Sequence, residues 1–229
     1  MKFERNSGIL SRRSILVGGA ALMASSNVPS AMASTTTVNK NSSRPKFDRD
    51  RFVEDCVTAH LESEPIAAVR EVLERAIADH RAVLEGLGDP TKAGLDVLLS
   101  SATLTVFAAH WTPQMYLLPH DHMMWALIGI YTGREDNILW RREEGSIKPY
   151  GADCLFEGDV ATLQADVIHS VTNPLLRFTG GIHIYGGDFF GTARHQWNPE
   201  TLAEEPSDGD AIRAMFAREN AGRSLINSE

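Results

Sequence analysis

Between Thr103 and Tyr185 the chain is cut into short runs rich in β-branched and aromatic residues, each too short for an ordinary helix. The runs cover 103–111, 114–120, 123–131, 137–142, 154–156, 161–163, 170–171 and 181–185. Gly133-Arg134-Glu135-Asp136, Glu144-Gly145-Ser146 and Glu157-Gly158-Asp159 separate some of them and read as turns. Many short strands with regular turns leave unpaired edges unless the sheet closes or doubles. They therefore predict a mainly β domain, either a barrel or a double-sheet jelly roll.

The flanking segments have other textures. Asp48 is placed to cap a helix with Phe52, Cys56 and His60 on one face. Ser63-Glu64-Pro65 opens a second helix, with Ile66, Val69, Val72, Leu73, Ala76, Ile77 and His80 on one side, ending over 86–90. The expected order is N-terminal helices packed on the barrel over 47–90, the barrel over 91–197, and a tail over 198–229 with a short helix near 208–219. Residues 34–46 are polar and aperiodic and read as a linker.

The first 33 residues form a leader. Ser11-Arg12-Arg13-Ser14-Ile15-Leu16 precedes an apolar stretch to about Ala24, and Ala31-Met32-Ala33 is a small-x-small cleavage pattern. This resembles a twin-arginine export signal, which implies the twin-arginine machinery as a partner and the periplasm as destination. Initiation at Met32 would instead leave the protein cytoplasmic. Net charge is −8, of which the leader holds +3, so the remainder carries −11. Such a surface argues against nucleic acid and against anionic membranes as partners. Apolar residues make up 43% of the chain, enough for a real core. Cys56 and Cys154 are far apart without metal-type spacing, and sequence leaves their pairing open.

The chemistry centres on His120-Asp121-His122. On a strand, residues i and i+2 share a face, so the two imidazoles converge and Asp121 points away. His169 follows a turn, a short strand and another turn, which can return it beside the pair. Three imidazoles from two strands leave coordination positions open, the mark of a catalytic rather than a closed structural site. Imidazole suits iron, zinc, copper or nickel. His60, His80, His110 and His195 read as surface or structural histidines, and Trp111, Trp125 and Trp140 as barrel core.

These segments resemble the paired motifs of the cupin superfamily, and within it most closely the cysteine dioxygenase-type thiol dioxygenases. The first cupin motif runs glycine, five residues, His-x-His, three or four residues, glutamate, six residues, glycine. Here Gln114 stands at the first glycine, His120 and His122 match, Ala126 stands at the glutamate and Gly133 matches. The second runs glycine, five residues, Pro-x-Gly, two residues, His, three residues, Asn. Gly158, His169 and Asn173 match, while Gln164 and Asp166 replace the proline and glycine. The likeness covers roughly residues 100–190. It implies a cupin double-stranded β-helix (jelly-roll) barrel with N-terminal helices, holding a metal on His120, His122 and His169. Fe(II) is the metal the resemblance implies first; zinc, nickel, manganese and copper stay open.

Thiol dioxygenases also carry a Ser-x-His-x-Tyr triad. At what looks like its place stand Gly181, His183 and Tyr185. Tyr185 would donate a hydrogen bond to bound oxygen or substrate and His183 would orient it. The cysteine that some members crosslink to that tyrosine falls at Leu127, so no crosslink is expected. The family's substrate-carboxylate arginine has no counterpart in 94–105, leaving Arg177 or Arg194 for that role. The implied reaction joins O2 to a small thiol, or acts on another small anionic substrate. Two other readings stay open: a zinc-type cupin enzyme acting on water or a carbonyl, and a cupin that binds metal or ligand without catalysis.

Overall fold

The structure, a computed structural model, describes Glu4, Arg5 and residues 46–226, with side chains to 222. The leader and the linker to residue 45 otherwise lie outside the described residues. Three helices come first. In α1 (Arg49–His60) the Asp48 side chain accepts from the Asp50 and Arg51 amides, as its N-cap position requires. The run expected as one second helix is two, α2 (Pro65–Ile77) and α3 (His80–Leu87). The break falls at Asp79, whose side chain accepts from the Ala82 amide and so caps α3. Local hydrogen bonding by Asp outcompetes helix continuation here, although the apolar periodicity runs straight through.

The rest is a double-stranded β-helix jelly roll, mainly β as expected. The strands are β1 (Glu4–Arg5), β2 (Gly94–Ser100), β3 (Thr105–Trp111), β4 (Tyr116–Asp121), β5 (Ala126–Thr132), β6 (Arg134–Glu143), β7 (Ser146–Phe156), β8 (Val160–Leu163), β9 (Ile168–Thr172), β10 (Thr179–Tyr185), β11 (His195–Trp197) and β12 (Glu204–Pro206). They form two antiparallel sheets, ordered β1-β8-β5-β10-β3-β2 and β12-β11-β4-β9-β6-β7. A last helix, α4 (Gly209–Ile226), is longer than the run expected in the tail.

Alternation along the first sheet sets its two faces. Phe107, Ala109 and Trp111 of β3, with Ala126, Ile128 and Ile130 of β5, belong to the cluster inside the barrel. Val106, Ala108, Leu127, Ile182 and Ile184 belong to the cluster that includes Phe52, Cys56, Val69, Leu73 and Ile77 of the helices. Both faces of this sheet are therefore covered, and β5 and β10 are buried along their whole length. Gly129 permits the close approach of α2. A Cβ there would lie 2.7 Å from Ile77 Cγ1 and 3.0 Å from Leu73 Cδ1.

The motif spacing has a backbone cause. Gln114, Gly133 and Gly158 all take positive φ, at 60°, 84° and 92°. These are three of the motif's glycine positions, and the left-handed conformation is what glycine supplies there. Gln114 keeps that conformation without being glycine. Asn173, fully buried, donates to the Thr112 and Arg177 carbonyls and accepts from the Leu175 amide, pinning the end of β9.

Several local expectations change. Gly133-Arg134-Glu135-Asp136 is not a turn throughout: the chain turns at Gly133 and β6 begins at Arg134, so Glu135 is a buried strand residue. His195, read from sequence as a surface or structural histidine, is tied into the second sheet. Its β11 strand pairs with β4, and its backbone N and Nδ1 lie 2.8 and 2.9 Å from the Asp121 carboxylate. Trp140 and Trp125 are only partly buried; Trp140 donates its indole N–H to Ser170 Oγ. Cys56 and Cys154 are not bonded to each other. Among the described residues no helix is long and apolar enough to cross a membrane.

Candidate metal centre

β4 and β9 are neighbours in the second sheet, and their register sets His120 opposite His169. His122 follows at the end of β4. The three imidazoles offer ligand atoms all within 4.8 Å of one another, and their ring centroids are 4.6 to 5.0 Å apart. His169 Nε2 lies 3.3 Å from His122 Nε2. Asp121 faces the other way, as alternation requires, and is held by Arg142 and His195.

Two of the remaining ring nitrogens are committed. His120 Nδ1 is 2.9 Å from the Leu118 carbonyl, and His169 Nδ1 is 2.6 Å from Asn137 Oδ1. A carbonyl can only accept, so His120 carries its proton on Nδ1 and keeps its Nε2 lone pair for a ligand. Burial drives the imidazoles toward the neutral form. It pushes His120 down to about 4 and His122 and His169 well below their ordinary value, with neighbouring imidazoles adding to the effect on the latter two. Neutral, converging, pre-oriented imidazoles fit a divalent transition metal.

Behind the ligands lies a buried polar chain. Asn137 Nδ2 donates to Glu135 Oε1 at 3.1 Å, and Trp111 Nε1 donates to Glu135 Oε2 at 2.9 Å. His183 Nε2 is 3.5 Å from the same Oε2, and His183 Nδ1 is 3.2 Å from the Tyr185 hydroxyl. Tyr185 stands edge-on to His122 with ring centroids 4.9 Å apart. Burial pushes Glu135 up, yet the neighbouring His183 ring, with the Asn137 amide and Trp111 indole, holds it below the ordinary carboxylate value. Burial pushes Tyr185 above the usual phenol range, and the Glu135 charge adds to this.

The histidines open into a cavity of about 360 Å³ lined by Trp111, Tyr185, Phe189 and Arg194, with Phe216 of α4 on its far side. Trp111, read from sequence as core alone, thus also faces the site; Phe216 stacks on it at 5.9 Å. Asn220 fixes α4 by bracketing the Ala93 backbone, and Thr112 donates to Glu219.

Of the two candidate arginines, the structure brings only Arg194 to the cavity. Arg177 pairs with Glu157 at 2.9 Å and is 60% exposed. The Arg194 guanidinium lies 3.9 Å over the Phe189 ring, and its buried Nε makes no hydrogen bond. Asp121, a carboxylate whose charge acts on it, is engaged by Arg142 and His195. Burial lowers Arg194 from its ordinary value, but an arginine stays cationic.

Sequence reasoning missed Glu135 and Asn137. The signal was available: from Gly133, positions 135, 137 and 139 alternate onto one strand face, and Leu139 is apolar core. The position of α4 over the cavity had no comparable signal.

No protein-family model matches the chain, and no curated protein matches it. Solved structures do. A double-stranded β-helix protein from Klebsiella pneumoniae is 12% identical, covering 52% of this chain and 83% of its own, with a TM-score of 0.35. An RmlC-like cupin from Methanocaldococcus jannaschii is 12% identical, covering 44% and 85%, at 0.37. A cupin superfamily protein from Desulfitobacterium hafniense is 14% identical, covering 46% and 88%, at 0.37. None of these likenesses extends to what the site does.

Proposed function

We propose that this protein is a non-haem Fe(II)-dependent dioxygenase that converts a small thiol bearing a second, anionic group into a sulfinate. One observation carries the reading: three neutral, converging imidazoles share an apolar-walled cavity with Arg194, which forms no ion pair among the described residues. Arg194 supplies charge and a planar fork suited to a carboxylate or similar oxyanion. Arg194 lines the same cavity as the three histidines, so a short molecule held on it shares their space.

His120, His122 and His169 would hold the iron, which supplies the redox chemistry joining dioxygen to sulfur. With no carboxylate among the ligands, Ala126 standing where many cupins place one, the centre keeps its full positive charge and favours an anionic sulfur. The reaction balances as RSH + O2 → RSO2H: sulfur gives up four electrons, and dioxygen accepts them and contributes both oxygens. Tyr185 positions a hydroxyl beside His122, and His183 orients it. Trp111, Phe189 and Phe216 exclude water from the same space. The leader supports export of the folded, metal-loaded protein to the periplasm through the twin-arginine route.

The test is oxygen uptake by the protein after anaerobic loading with Fe(II), across small thiols with and without a carboxylate. Uptake should require Fe(II), thiol and His169. Arg194→Gln should raise KM for carboxylate-bearing thiols by about 10- to 100-fold, the worth of a charged hydrogen bond, with a much smaller change for uncharged ones. Stoichiometric iron binding with no thiol-dependent uptake would sink this reading.

A further inference from the structure

Glu135 is a fully buried carboxylate that the proposed reaction does not use. It sits where two arms meet. One runs through Asn137 to His169; the other runs through His183 to Tyr185. Leaving a charge there is costly unless its oxygens are satisfied. The Asn137 amide and the Trp111 indole do that, one on each oxygen, with the His183 ring 3.5 Å from Oε2.

An ionised carboxylate can only accept. That single restriction propagates. Because Oε1 accepts a hydrogen bond from Asn137 Nδ2, the other end of that amide, Oδ1, must face His169 Nδ1. Oδ1 is also acceptor-only, so His169 carries its proton on Nδ1 and leaves Nε2 bare toward His122. On the other arm, Trp111 Nε1 is a donor only and fits Oε2. His183 Nε2 has no hydrogen-bond partner and lies 3.5 Å from Oε2, so its proton belongs on that nitrogen. His183 Nδ1 is then the acceptor, and the Tyr185 O–H points to it. A side chain at Gly181 would start 3.3 Å from His183 Nε2; glycine leaves that nitrogen to Glu135.

We infer that Glu135 is a positioning residue whose negative charge sets the donor–acceptor direction of both arms at once, so that His169 offers Nε2 to a metal and Tyr185 turns its oxygen lone pairs into the cavity. Tyr185 is therefore an acceptor toward a hydrogen-bond donor on a bound ligand, rather than a donor itself. This rests on the three histidines being metal ligands, but not on the reaction proposed for them.

The test uses metal-free full-length protein labelled with 15N-histidine. Two-bond nitrogen–proton correlations at neutral pH report the tautomer of each ring, assigned with His169→Ala and His183→Ala. The wild type should show His169 protonated at Nδ1 and His183 at Nε2 alone. Glu135→Gln should scramble His183 and weaken Co(II) binding, measured calorimetrically, by about 10- to 100-fold. Glu135→Asp, shorter but charged, should restore both tautomers, which a purely structural role would not predict. Asn137→Ala should disturb His169 and leave His183 unchanged. Wild-type tautomers and Co(II) affinity in Glu135→Gln would overturn the inference. So would a wild-type His183 protonated at Nδ1, alone or together with Nε2, a result that needs no Glu135 variant to fold. None of these readouts involves oxygen or thiol, so they stand or fall apart from the uptake assay.

Discussion

In the first sheet the residues facing away from the barrel interior are Val106, Ala108, Leu127, Ile182 and Ile184, and they meet helices. In the second sheet the outward positions include Tyr116 and Ile138, both exposed, and the Arg134–Asp136 ion pair. The inward positions differ as much. The second sheet sends His120, His169, Glu135 and Asn137 toward the site, whereas the first sends Phe107, Ala109, Ile128 and Ile130, with His183 and Tyr185 as its polar contribution. A sheet covered on both faces has little room for unpaired polar groups, so the first is mainly scaffold. The second supplies the clustered histidines and the buried carboxylate behind them.

The division can be broken from either side. Leu73→Ala, on the helix side of the first sheet, should cost about 2–5 kcal/mol of stability by transfer and cavity terms. That is a melting point lower by roughly 5–15 °C, and Co(II) affinity should be unchanged. Loss of metal binding in this variant would show that scaffold and site are not separable.

A smaller effect separates the two regions by pH. The three histidines of the metal-free protein are held neutral when folded, and their unfolded forms protonate near 6.5. Between about 6.5 and 4 the unfolded chain binds more protons, so stability present above 6.5 is lost as pH falls. On the helix side, burial pushes the Cys56 thiol up to about 12 from 9.0. The unfolded chain ionises first, so its contribution is lost as pH rises from 9 toward 12. Denaturant melts across pH should show His120→Asn flattening only the acid limb and Cys56→Ala only the alkaline limb. Either variant acting on the wrong limb would contradict the assignment.

The smallest expected effect is chemical. At pH 8 iodoacetamide should modify Cys154 well before Cys56, because the Cys56 thiol is fully buried and stays protonated. Peptide mass analysis reads the order. Equal rates would mean that the helices leave the first sheet far more often than their packing implies.

Much of the architecture was legible because it is local. Short runs rich in β-branched and aromatic residues, bounded by turn residues, mark β3, β5 and β10, and Asp48 marks the start of α1. The His-x-His pair is legible for the same reason, since alternation alone puts His120 and Asp121 on opposite faces. Glu135 was hidden by its neighbours: Gly, Arg, Glu and Asp in sequence have the composition of a turn, and only pairing with β9 and β7 makes a strand of them.

Sequence alone, then, determined that this chain makes a closed β structure with helices before it and histidines on one strand face. Those features follow from backbone sterics and side-chain periodicity within a few residues. The tertiary structure decided that His169 returns opposite His120, that Glu135 joins the Asn137 and His183 arms, and that Arg194 rather than Arg177 faces the cavity. Each of these depends on register between strands far apart in the chain and on which charges find partners elsewhere, and neither is written in any local run of residues.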